Sequence, residues 1–128
     1  MTTFPGTNGF RCDVEPHRER MLVRPVGELN LATVPFVQRP LEELHAAGFR
    51  DFLLDLRRVT FMDSTGLRLL VRWASASAQD GFELRILIGT QPVRRLLELT
   101  GALERLPIVE ADDLDPLDAS RPREQQAS

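Results

Sequence analysis

A chain of 128 residues with 42% apolar and 27% charged residues has the size and composition of one globular domain, which sets aside the membrane and wholly disordered classes. A formal charge of −3 raises no field that would gather nucleic acid, so direct DNA binding is not expected. All 16 basic residues are arginine and Cys12 is the one cysteine, which removes lysine-based catalysis, an internal disulfide and a Cys-based zinc site together.

Residues 1–9 are polar and Gly-rich and read as a loose, flexible N-terminal arm without the apolar core of a signal peptide. No run approaches the roughly 18 apolar residues of a membrane span, so the expected location is the cytoplasm, without membrane insertion. Phe10 to His17 is expected as a first strand. Met21–Val26 is a clearer one, in which Pro25 cannot donate to a ladder and marks an edge, a bulge or a strand end. Gly27-Glu28-Leu29-Asn30 turns the chain. Between Thr33 and Ala47, Val34, Val37, Leu41 and Leu44 recur at helical spacing, with Thr33 as cap, Pro35 in the first turn and Gly48 as stop. Pro40 implies a kink or a late start, because it removes a hydrogen bond and collides with the carbonyl four residues back.

Phe49–Leu56, apolar through Phe52-Leu53-Leu54, reads as a central strand covered on both faces. In Val59-Thr60-Phe61-Met62-Asp63-Ser64-Thr65-Gly66-Leu67 a strand stops at three polar residues and a helix begins. Spacing assigns Leu67, Leu70, Val71, Ala74 and Ala78 to the core face of that helix and Arg68, Arg72, Ser75 and Gln79 to a polar stripe. Leu69, Trp73 and Ala76 then fall opposite the core, where Trp73 is either an interface anchor or is covered by another part of the chain. After the Asp80-Gly81 turn come a strand, Phe82–Ile88, and a short helix that buries Val93, Leu96, Leu97 and Thr100 and stops at Gly101. Leu106–Val109 is the last expected strand. An acidic edge, Asp112, Asp113, Asp115 and Asp118, leads into a disordered tail over 119–128. This order is that of an α/β fold: one domain over 10–118, with a mixed, mostly parallel four- to five-stranded sheet and three to four helices.

Chemistry concentrates at the Asp63 turn. Asp63 or Ser64 is placed to accept from the first N–H groups of the helix, and the positive end of the helix dipole makes the turn a place where an anion can rest. Spacing alone leaves open whether this is more than a capping turn with a spare Ser and Thr. A serine hydrolase is a poor fit. Nothing in the sequence brings His17 or His45 to Ser64, and the Gly residues of a nucleophile elbow are missing. There is no phosphate-cradling loop, no cofactor is expected, and the acidic edge lacks the Gly and Glu spacing of a calcium loop.

Asp63-Ser64-Thr65-Gly66-Leu67 after the Asp55-Leu56 strand end, with Gly27-Glu28-Leu29 upstream and Leu99-Thr100-Gly101 downstream, resembles a STAS domain. The likeness runs from about Met21 to Ile108, and the family includes bacterial anti-sigma-factor antagonists. In those antagonists the Ser after the motif's Asp is phosphorylated by a partner anti-sigma factor that is itself a serine kinase. That position is Ser64 here. The resemblance implies a non-enzymatic, cytoplasmic STAS protein that sequesters an anti-sigma factor, frees a sigma factor for transcription, and is released on phosphorylation; the ATP sits on the partner. Asn30, Asp63, Thr65 and Gly66 would surround the phosphate, with Asp63 capping the helix, Thr65 lining the interface and Gly66 letting the partner's backbone come close. Leu67, Arg68, Leu69 and Trp73 would bind the partner. The same likeness also fits a STAS subunit of an ABC-type transport complex or a stress-signalling scaffold. Asn30 departs from the pattern, since many antagonists have Asp there.

Overall fold

The computed structural model describes residues 1–89 and 91–110. Its elements follow in the order β1 (Thr2–Pro5), β2 (Arg11–His17), β3 (Arg20–Leu29), α1 (Pro35–Ala46), β4 (Asp51–Asp55), β5 (Val59–Met62), α2 (Ser64–Asp80), β6 (Glu83–Leu87), α3 (Val93–Thr100), a 3-10 turn (Ala102–Glu104) and β7 (Ile108–Val109). β1, β2 and β3 form an antiparallel meander. From β3 onward pairing is parallel, in the order β1-β2-β3-β4-β6-β7 with β5 beside β3. Helical crossovers are what a parallel arrangement needs, and α1, α2 and α3 supply them.

The mixed, mostly parallel α/β sheet expected from the sequence is therefore present, with seven strands rather than four or five. One addition corrects the loose arm read over residues 1–9. Thr2–Pro5 pairs with Arg11–Val14, and the Thr3 hydroxyl donates to Asp13 Oδ1 at 2.9 Å. As an edge strand with only Phe4 packed on the core, β1 carries none of the apolar alternation that announces a strand. Pro25 resolves as follows: β3 pairs with β4 through Met21–Val23 and with β5 through Gly27–Leu29, and Pro25 falls in the gap between. There no parallel neighbour asks for its missing N–H.

α1 runs on through Pro40 to Ala46. It starts two residues later than Thr33, and Pro40 is buried in a cleft it shares with Phe4, Val14 and Met21. β4 is central as expected, lying between β3 and β6. On one side of the sheet Val23, Phe52, Leu54, Leu84 and Ile86 join Val37 and Leu41 of α1, Leu69, Leu70 and Trp73 of α2, and Val93 and Leu97 of α3 in one core. The other side holds a small cluster of Leu22, Leu53 and Leu87, flanked by the ion pairs Arg85–Asp51 and Arg24–Asp55, both at 3.0 Å.

The core stripe of α2 differs from the sequence reading by one residue. Gly66, Leu69, Leu70 and Trp73 are buried, while Val71 is 46% exposed and Ala78 is exposed. One residue is a rotation of about 100°. The helix is apolar over both stripes, so spacing does not choose between them; the absence of a side chain at Gly66 does, by letting that side sit closest to β3. None of the described helices is long and apolar enough to cross a membrane. The acidic edge from Asp112 and the tail over 119–128 lie outside the described residues.

Candidate functional site

β3 and β5 run parallel and end together. Leu29 pairs with Met62, and the Asp63 N–H donates to the Leu29 carbonyl at 3.2 Å, so Asn30 is set beside the start of α2. Asp63 is extended (φ −103, ψ −171), and its Oδ1 accepts from the N–H groups of Thr65 at 2.9 Å and Gly66 at 3.2 Å. Two of the four otherwise unpaired donors of the helix start are thus satisfied by one oxygen. Ser64 is the first residue of α2 and exposed, and its hydroxyl has no partner among the described residues. It projects from the positive end of the helix dipole, with one oxygen of its neighbour's carboxylate already engaged.

Asn30 performs a similar task in the turn that leads into α1. Its Oδ1 accepts from Ala32 N–H at 2.9 Å and Thr33 N–H at 3.2 Å, while the Thr33 hydroxyl donates to the Glu28 carbonyl at 2.7 Å. This turn uses a single oxygen of residue 30, so Asn supports it as Asp would. What Asn removes is a negative charge next to Ser64.

Three expected site residues are placed differently. Gly66 is buried, and what comes close to it is the chain itself: an added Cβ would stand 2.7 Å from Met62 Cγ and 3.1 Å from the Leu29 carbonyl oxygen. Its role is to bring α2 onto β3 and β5, not to admit a partner's backbone. Leu69 and Trp73, read as partner-binding, belong to the core, with Trp73 only 7% exposed and edge-on to Phe82 and His45, each with centroids 6.1 Å away. Leu67 is half-buried and Arg68 exposed, so these two remain accessible near Ser64 together with Thr65. Across from Leu67, Val71 and Ala74, a groove is closed by Thr100, Ala102 and Leu106. Arg94 on α3 is engaged within the chain by Glu110 at 3.0 Å.

Sequence reasoning missed two residues at this end of the sheet. Leu31, next to Asn30, is 75% exposed, and Phe61, three residues before Ser64, is 48% exposed. The available signal was their type: large apolar residues in a turn and beside a polar strand end, where no core periodicity calls for them. His45 of α1 does not serve Ser64 as a base, because it lies beside Asp80 (3.9 Å) at the opposite end of α2, about 24 Å along its axis.

The sequence and the fold have counterparts among known proteins. The model of the STAS domain matches residues 11–112, and the chain belongs to that family. An anti-sigma-B factor antagonist of Staphylococcus aureus (strain NCTC 8325 / PS 47) is 36% identical over 89 residues, covering 70% of this chain and 82% of that one. Its counterpart in Staphylococcus epidermidis is 31% identical over 99 residues, covering 77% and 92%. Among solved structures, an anti-sigma factor antagonist from Mycobacterium paratuberculosis superposes with a TM-score of 0.70 at 22% identity, over 88% of this chain and 92% of that one. The antagonist SpoIIAA in its unphosphorylated form gives 0.67 at 19% identity, over 84% and 91%. At such identities the structural likeness speaks for the fold.

Proposed function

We propose that this protein is an anti-sigma factor antagonist that binds an anti-sigma factor of the serine-kinase type and is released when that partner phosphorylates Ser64. The observation that carries the reading is the Ser64 hydroxyl itself: exposed, without a partner among the described residues, and presented at a helix start where Asp63 already holds the N–H groups of Thr65 and Gly66. The names of the relatives favour this role over that of a transport-complex subunit. The chain acts as phosphate acceptor rather than enzyme, and the ATP belongs to the partner.

The physical logic is local. A phosphate on Ser64 adds roughly −1.5 to −2 charges at a helix N-terminus, a position that tolerates negative charge. Asp63 already holds the N–H groups of Thr65 and Gly66, so the phosphate displaces nothing and the fold stays intact. The effect falls on the partner, whose surface over Leu31, Phe61, Thr65, Leu67 and Arg68 would have to bury an unpaired charge. Burial of that kind costs several kcal/mol, and about 2.7 kcal/mol already weakens binding a hundredfold.

The test uses purified chain and an ATP-binding anti-sigma factor from the same cell. Wild type is expected to bind, to take up phosphate from ATP at Ser64 as mapped by mass spectrometry, and to lose affinity by about a hundredfold or more when phosphorylated or as Ser64→Asp. Equal affinities of wild type and Ser64→Asp, with no transfer to Ser64, would sink the switch.

A further inference from the structure

The turn that joins β4 to β5 carries Arg57 and Arg58, facing the stretch of β3 between its two parallel partners, where Arg24 lies. Asp55, 1% exposed, holds this joint. Its carboxylate accepts from the Arg57 N–H at 3.0 Å, from Arg57 Nε at 3.0 Å and Nη2 at 3.1 Å, and from Arg24 Nε at 3.0 Å. One carboxylate therefore aims two guanidinium groups. Arg58 brings a third, exposed and with no ion pair among the described residues, on a backbone tied down by the Gly27 N–H donating to the Arg58 carbonyl at 3.1 Å.

Arg24, Asp55, Arg57 and Arg58 line a depression of about 370 Å³ on the side of the sheet away from the helices. That lies at the small end of the range for ligand sites, roughly 300–1,000 Å³. Three positive groups face one negative group, and the negative one is saturated. The donors Asp55 leaves over are the terminal nitrogens of Arg24, one of Arg57 and the whole fork of Arg58. Such forks match the oxygens of a phosphate in geometry and in charge, and here a buried carboxylate has already met the entropic cost of orienting two of them.

We propose that this depression binds a phosphate group, either free or as the monoester of a small metabolite, with Arg58 and Arg24 as the principal contacts and Asp55 as the positioning residue. The excess of two positive charges fits a dianion, and the space exceeds a bare phosphate, leaving room for part of the molecule that carries it. The site is separate from the Ser64 turn and does not depend on the role proposed for it.

Titration of the full-length chain followed by the arginine Nε–H signals in NMR tests this, with inorganic phosphate and glycerol 3-phosphate as probes and chloride at matched ionic strength as reference. Saturable shifts confined to Arg24, Arg57 and Arg58 are expected. Tighter binding of the ester identifies a metabolite as the source of the group, and equal binding identifies free phosphate. Arg58→Gln, an exposed change that leaves the Asp55 cluster whole, should weaken binding about tenfold, the worth of one charge-assisted hydrogen bond. Arg95→Gln on α3, also exposed, should change nothing. Shifts that chloride reproduces, equal losses in the two variants, or binding of a glutamate-rich peptide but of neither phosphate probe would each overturn the proposal.

Discussion

Two aspartates eight positions apart stand at the ends of consecutive strands, β4 and β5, and do opposite things. Asp55 is buried, accepts four hydrogen bonds from Arg57 and Arg24, and closes the joint between β4 and β5. Asp63 is half-buried, accepts two backbone N–H groups, and leaves the residue after it open to solvent. The difference is in what surrounds each one. A carboxylate among guanidinium groups becomes part of the scaffold, whereas one at a helix start organises a turn and frees its neighbour's hydroxyl.

That contrast can be broken by experiment, beginning with the largest effect. Asp55→Ala leaves two guanidinium groups without their acceptor, but both reach water, so its cost should fall below the roughly 3–5 kcal/mol of a fully buried pair, at about 2–3 kcal/mol, read from the urea midpoint at unchanged slope. Asp55 also sets an acid dependence. Burial pushes its pKa up, but the hydrogen bonds from Arg57 and Arg24 outweigh burial and hold the carboxyl below its ordinary 3.8. Its contribution is therefore fully present above the unfolded value and is lost as the pH falls through the folded one. Asp55→Asn should remove that part of the acid limb in pH-dependent unfolding, and an unchanged limb would mean that the joint is not held by charge.

Gly66→Ala comes next. The new methyl group meets Met62 and the Leu29 carbonyl, and overpacking of about 1–3 kcal/mol outweighs the roughly 1 kcal/mol gained in helix propensity. A net loss of about 1 kcal/mol in thermal or chemical melts is expected, and a gain in stability would show that α2 does not sit on β3 as described.

Asp63→Ala removes the cap and should cost about 1 kcal/mol, less than Asp55→Ala. The reverse order would erase the distinction between scaffold and turn. Ser64→Asp has the smallest effect on folding: a negative charge at the first helical position is worth about 0.3–1 kcal/mol in its favour. Melting temperature should hold or rise slightly, so that any loss of partner binding in this variant is a loss at the interface and not of the fold.

Much of the fold was legible because punctuation and periodicity are local. Gly81 and Gly101 end α2 and α3 with φ of 74° and 76°, and the run Phe52-Leu53-Leu54 marked a strand with both faces covered. β1 was not legible, because an edge strand needs no alternating apolar face and its partner supplies the pairing. At the site, Asp63 and Ser64 could be read from capping chemistry; for Leu31 and Phe61 residue type was the one signal, and their exposure belongs to the folded surface.

The helix that bears Ser64 separates the two kinds of information. Its existence, its cap and its length follow from Asp63, the apolar spacing and Gly81, all within reach of one another along the chain. Which of its two apolar stripes faces inward does not. Leu69 and Trp73 fall opposite the expected core stripe until Leu29 and Met62, brought together by the pairing of β3 with β5, meet the bare Cα of Gly66. Only close packing between segments distant in sequence turns a helix by that last 100°, and with it decides which residues a partner can touch.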